Sequence, residues 1–207
     1  MKFELGIGPD SWGVWFPSDP RQPPFEQFLD EANRAGYRTI ELGPYGYLPV
    51  DPVALRALLE AHKFRLSGGF VFGNFHGPDA WDERKVEIDR TCALLQSLGA
   101  QYCVLIESMY TDLFTGEQVA ASELTAEEWA RLVEVSNRIG SYVSDRYGLK
   151  VAFHPHAQTS IEREDQIERY LEMTDPNLVS MCLDTGHHAY CGGDPVQFMR
   201  DQYERIP

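Results

Sequence analysis

The chain has 207 residues, 43% hydrophobic, 12% aromatic and 24% charged, which is enough apolar material for one core and too much for a disordered chain. No run approaches the ~18 uninterrupted apolar residues of a membrane span, the mean hydropathy is -0.36, and the opening Met-Lys-Phe-Glu-Leu-Gly is too short and too acidic for a signal peptide. Against 18 Lys and Arg stand 32 Asp and Glu, a net charge of -14 with no basic cluster; this disfavours nucleic acid as a partner and suits a cytoplasmic protein.

Short apolar runs alternate with longer amphipathic ones. Phe3 to Gly8 reads as a strand. Pro23-Pro24 opens a helix that Gly36 closes, because proline is tolerated in a first turn and glycine ends a last one. Tyr37 to Leu42 is a second strand. Asp51-Pro52 is a cap followed by an N-terminal proline, starting a helix to about His62. Phe64 to Phe72 is a third strand, and Asp79 to Leu98 a helix stopped by Gly99. Tyr102 to Ile106 is a fourth strand. Thr125 and Glu128 make a capping box for a helix to about Tyr147. Leu149 to Phe153 is a fifth strand, Ile161 to Met173 a helix, and Leu178 to Leu183 a sixth strand. Asp194-Pro195 begins the last helix, which reaches about Tyr203.

Six βα units in strict alternation predict a parallel sheet covered by helices. No linker or low-complexity tract divides them, so residues 1–207 read as a single domain. An open doubly wound sheet and a (β/α)8 TIM-barrel type fold compete. No GxGxxG or GxxxxGK[ST] fingerprint follows a strand, which weakens the nucleotide-binding open sheets. A barrel of about 250 residues has eight units, so the expectation is a barrel with about six of eight present, cut short or a fragment. Its open sheet edges would make it pair with another copy, as a homo-oligomer, or aggregate. Cys92, Cys103, Cys182 and Cys191 share no CxxC spacing, and buried free thiols in a reducing compartment are expected.

In parallel βα proteins chemistry collects where strands end. Those ends carry Asp10, Glu41, His76, Glu107, His154 with His156, and Asp184 with His187 and His188. Each alone reads as an ordinary polar strand end. Together, carboxylates and imidazoles converging on one mouth need a neutralising cation. Mixed nitrogen and oxygen ligands suit Mn, Fe, Co or Zn better than Ca or Mg. His154 and His156, two apart on a strand, can face the same side. Aromatics gather there too (Trp12, Trp15, Phe16, Tyr45, Tyr47, Phe72 and Phe75), most of them suited to packing; Trp12, between Ser11 and Gly13, is the candidate for substrate contact. The 108–122 stretch reads as a long loop, a lid or an elaborated surface.

These residues resemble the xylose isomerase-like TIM barrels, a group of sugar isomerases and epimerases, endonuclease IV and inosose dehydratase. Leu183-Asp184-Thr185-Gly186-His187 is similar to the family's metal motif after the sixth strand. His154-x-His156-x-x-Thr159 and Pro9-Asp10-Ser11-Trp12 resemble the inosose dehydratase branch. His154-Pro155 stands where epimerases carry Glu-Pro, which turns the resemblance toward the dehydratases. The family's His after a seventh strand and Glu after an eighth have no counterpart in these residues. The resemblance implies a divalent metal (Mn, Co, Fe, Zn or Mg) on Asp184, with His154 or Glu107 as a second ligand. It implies His154, His156, His187 and Glu107 as catalytic groups, and Trp12, Glu41, His76 and His188 as substrate contacts. The implied substrate is a small polyol or keto-sugar, and the implied chemistry starts with loss of a proton next to a ketone. An endonuclease-like action is disfavoured by the charge, and a non-catalytic fragment or binding module is the alternative.

Overall fold

A computed structural model describes residues 4–207, so Phe3, the expected start of the first strand, lies outside the described residues. The strands are β1 (Gly6–Ile7), β2 (Thr39–Ile40), β3 (Arg65–Leu66), β4 (Gly68–Gly73), β5 (Tyr102–Glu107), β6 (Lys150–Phe153) and β7 (Val179–Met181). The helices are α1 (Phe25–Arg34), α2 (Pro52–His62), α3 (Ala80–Ser97), α4 (Ala126–Tyr147), α5 (Glu164–Met173), α6 (Thr185–Tyr190) and α7 (Pro195–Asp201), with 3-10 turns at Pro9–Trp12 and Tyr203–Arg205.

Cap chemistry sets most helix starts. Asp51 accepts from the Ala54 amide at 2.8 Å at the head of α2. Before α4, Glu128 accepts from the Thr125 amide at 2.8 Å while Thr125 Oγ1 receives the Glu128 amide at 3.3 Å, the reciprocal arrangement that satisfies orphan amides at both positions. Asp194 accepts from Val196 and Gln197 at the head of α7.

Three expectations are corrected. The run expected as one strand from Phe64 to Phe72 is divided at Ser67 into β3 and β4. There the Ser67 amide donates to Ile40, while its carbonyl accepts from Gln101 and Tyr102, so the chain changes hydrogen-bonding partner within one residue. Gly68 permits this, since a Cβ there would stand 2.6 Å from the Tyr102 carbonyl oxygen. The helix expected from Ile161 begins instead at Glu164, because Gln166 turns its side-chain oxygen back to the Glu162 and Arg163 amides. The sixth strand, expected to run from Leu178 to Leu183, ends at Met181, and Asp184 caps the six-residue helix α6.

The chain resolves into two compact units. The first comprises residues 4–71 with Ile88–Cys103 and Tyr147–Leu149. It holds the parallel sheet β1-β2-β3, with α1 burying Phe28, Leu29 and Ala32 and α2 burying Leu55 and Leu59. Cys92 and Cys103 are buried in this unit. The second comprises Phe72–Glu87, Val104–Arg146 and Lys150–Pro207. Its strands β6 and β7 run parallel, in the sheet ordered β4-β5-β6-β7. Val151, Ala152 and Phe153 of β6 are all buried, the signature of a strand covered on both faces. Phe153 packs on the Tyr170 ring of α5 at 4.1 Å. Among the described residues no helix is long and apolar enough to cross a membrane.

Candidate functional site

Ladder bonds carry the second unit's strand ends to the same level. The Ser108 amide donates to Gly73, His154 to Leu105, and Cys182 to Phe153. The residues just beyond β4, β5, β6 and β7 therefore issue together from one edge of the sheet.

Three of them converge. His154, His156 and His187 offer ring nitrogens that all lie within 4.8 Å of one another. The His156 and His187 ring centroids are 3.8 Å apart, and His154 sits 5.7 and 5.6 Å from them. Burial pulls the His154 pKa down to about 4, helped by His156 and His187 and opposed by Asp184. Burial also lowers the pKa of His156. Both rings are thus neutral bases near pH 7, the form in which imidazole binds a metal. His156 Nδ1 lies 2.7 Å from the Ala157 carbonyl; a proton on Nδ1 satisfies that contact and leaves the Nε2 lone pair for a ligand. The donor set present therefore fits a divalent cation.

Asp184 borders the cluster. Its Oδ1 caps α6 by accepting the His187 amide at 2.8 Å, and its Oδ2 lies 4.0 Å from His187 Nε2. Burial pushes its pKa up, but the His187 amide and the charges of His187 and His154 outweigh burial and hold the carboxyl below its ordinary value.

Consecutive residues of a helix point about 100° apart, which separates His187 from His188. His188 turns inward, 3% exposed, with Nε2 3.0 Å from Glu164 and its ring 4.6 Å from Phe198. It ties α5, α6 and α7 together.

Glu107 is fully buried. Its carboxylate accepts from the Ser108 amide at 2.8 Å, Ser108 Oγ at 3.0 Å and the Phe75 amide at 3.2 Å, and stands 3.4 Å from His76 Nδ1. The three-imidazole cluster does not include it. The His154–Glu162 stretch is pinned by Thr159 Oγ1, which donates to the His156 carbonyl at 2.8 Å. Tyr110 and Thr111, from the long loop after β5, reach Glu162 and Gln158 at 2.9 and 2.6 Å. No local pattern in the sequence signals these loop partners.

Trp12 and Glu41 lie in the first unit. Trp12 Nε1 donates to Glu31 at 2.6 Å and its ring meets Phe28 edge-on at 5.0 Å. Desolvation and then the charge of Asp10 raise the pKa of Glu41.

Parallel strands whose C-terminal ends carry imidazoles and carboxylates place the molecule among the parallel-sheet α/β proteins. The chain belongs to the xylose isomerase-like TIM barrel family, whose model matches residues 29–206. The α/β fold with parallel strands expected from the alternation is that family's fold. An inosose dehydratase of Geobacillus kaustophilus (strain HTA426) is 32% identical over 209 residues, covering 99% of this chain and 67% of that protein. The probable 3-DHS dehydratase AsbF of Bacillus anthracis superposes with a TM-score of 0.77 at 13% identity, over 99% of this chain and 71% of that one. The IolI protein, whose crystal structure holds a zinc atom, superposes with a TM-score of 0.74 at 17% identity, over 99% of this chain and 70% of that one. At those identities the two structures share the fold alone.

Proposed function

We propose that this chain belongs to a metal-dependent enzyme that removes a proton next to the ketone of a cyclic keto-polyol and releases the neighbouring hydroxyl as water, an inosose dehydratase-like activity in the cytoplasm. The convergence of His154, His156 and His187 within 4.8 Å carries the reading. The similarity to an inosose dehydratase over 99% of this chain supports the substrate class.

His154, His156 and His187 would hold the cation, with Asp184 beside them. Three nitrogen donors and one oxygen suit Zn, Co or Fe. When bound, such an ion supplies Lewis acidity that makes the hydrogen next to a ketone more acidic. The protein's own groups do the rest. Thr159 and the Ala157 carbonyl fix the His156 ring, and the His187 amide holds Asp184 in place as the cap of α6. Pro155 and Ala157, on either side of His156 in the chain, are buried.

Elemental analysis and cobalt titration of the full-length protein test the site. One equivalent of cation is expected, with cobalt absorption of a nitrogen-rich site that His187→Ala abolishes. Incubation with inososes, followed by ultraviolet detection of the conjugated ketone, tests the reaction. Absence of stoichiometric metal refutes the site. Metal binding without turnover of any inosose or ketose favours the binding-module alternative.

A further inference from the structure

The buried carboxylate at the end of β5 is unused by the imidazole cluster. Its Oε2 lies 3.4 Å from His76 Nδ1, from the segment after β4, and its charge also reaches the buried Tyr170 hydroxyl of α5. His76 Nδ1 is buried and without a hydrogen-bond partner of good geometry, 3.4 Å from Glu107 Oε2. A finished charge-assisted bond is ~2.8 Å long, and catalytic pairs often stand long until substrate arrives. Both partners are held from outside the pair. Ser108 and the Phe75 amide fix Glu107. Arg131 Nε donates to the His76 carbonyl at 2.8 Å and is itself paired with Glu127. The His76 side chain is 17% exposed, so the ring combines a buried Nδ1 with a partly accessible surface.

We infer that His76 is the group that carries the proton in the proposed reaction, with Glu107 as the residue that positions its ring through Nδ1. In the step, His76 Nε2 takes the hydrogen from the carbon next to the ketone, and the C–H electron pair becomes the new double bond. As the neighbouring C–O bond breaks, the departing oxygen takes that same proton from Nε2 and leaves as water. His76 ends neutral, and no other acid, base or oxidant is needed. The pair and the imidazole cluster both follow C-terminal strand ends of the sheet ordered β4-β5-β6-β7, with β4 and β6 two strand spacings apart, about 10 Å. This inference rests on the preceding reading for its substrate. The pairing itself does not.

The charges that face His76 agree with the role. Glu107 raises its pKa most, burial opposes, Glu128 raises it further, and Arg131 lowers it, with a net rise above the ordinary 6.5. A general base works best with a pKa near the working pH.

The test is a nitrogen-15 NMR titration of His76 in the full-length protein, wild type and Glu107→Gln, alongside cobalt binding and inosose turnover by His76→Asn. The wild-type midpoint is expected above about 6.5, the reference value for imidazole, and about tenfold lower in proton affinity once Glu107 is neutral. His76→Asn is expected to bind cobalt within about twofold of wild type and to lose 10²- to 10⁴-fold in kcat, the usual range for general acid–base catalysis. The acid limb of the kcat/KM profile should move with the Glu107→Gln midpoint. A wild-type midpoint at or below 6.5, no change on neutralising Glu107, or loss of cobalt binding in His76→Asn overturns the inference. Should Glu107→Gln fail to fold, the wild-type midpoint and His76→Asn decide alone. If the wild type turns over no inosose, the preceding reading fails separately, while the titration and cobalt assay still judge the pair.

Discussion

Metal-free protein should be acid-sensitive because of His154, and the size of the effect follows from its surroundings. Burial, with His156 and His187 adding repulsion, takes its pKa from an ordinary 6.5 down to about 4. As pH falls, an unfolded chain binds the proton near 6.5 and the folded chain not until about 4. Stability is therefore intact above 6.5 and is lost as pH drops through that window. At about 1.4 kcal/mol per tenfold in proton affinity the whole gap is worth about 3 kcal/mol, of which about 2.5 kcal/mol is gone by pH 4.5. His154→Gln removes the titrating group. Urea unfolding in EDTA, at pH 7.5 and 4.5, measures the loss for wild type and variant. The wild type should lose about 2 kcal/mol more than His154→Gln, a difference that discounts part of the linkage to the altered titration of His156 and Asp184. Equal losses in the two proteins would refute the reasoning, because His154 would then accept its proton as readily folded as unfolded.

Gly193→Ala should destabilise the fold by about 1–3 kcal/mol in thermal unfolding, since a Cβ there would stand 2.2 Å from His188 Nε2 on a ring already held between Glu164 and Phe198. Tyr110→Phe should cost about 1 kcal/mol and speed hydrogen exchange across residues 108–122, because it removes the bond to Glu162 that pins this loop to the His154–Glu162 stretch. A thiol reagent should label Cys182 and Cys191 in the folded protein, Cys191 slowly because burial and then Glu162 lift its pKa to about 11. Cys92 and Cys103, buried against each other, should react only on unfolding, as peptide mapping of the labelled protein will show.

What the sequence discloses about this molecule is its local chemistry. Asp51-Pro52, Thr125 with Glu128, and Asp194-Pro195 announce helices because capping involves residues two to four apart, and each works as expected. The placement of His154, His156, Asp184 and His187 at strand ends is legible for the same reason. Their division of labour is not. Whether His187 or His188 joins the cluster depends on the phase of α6, a six-residue helix nucleated by the side chain of Asp184, and Thr-Gly-His-His reads as a turn without that bond. The partners of Glu107 and Glu162 come from other loops, Phe75 and Tyr110 being 32 and 52 residues away. A contact across that distance leaves no periodic trace in the chain.

The exchange of a carboxylate for an imidazole at position 154 links these features. Where the epimerases of the resemblance carry Glu-Pro, this chain has His154-Pro155. His154 can provide a lone pair, but burial that keeps its pKa near 4 makes it a poor proton carrier at neutral pH. A neutral ligand would also leave more of a bound cation's charge uncompensated, with Asp184 the carboxylate that borders the cluster, so such an ion would polarise a ketone more strongly. Proton transfer must then come from a group whose conjugate acid is favoured, and the ring facing a fully buried carboxylate is His76. On the proposed reading, separating the residues that would hold a cation from the proton carrier suits elimination, in which one group must first take a proton and then surrender it to the departing oxygen.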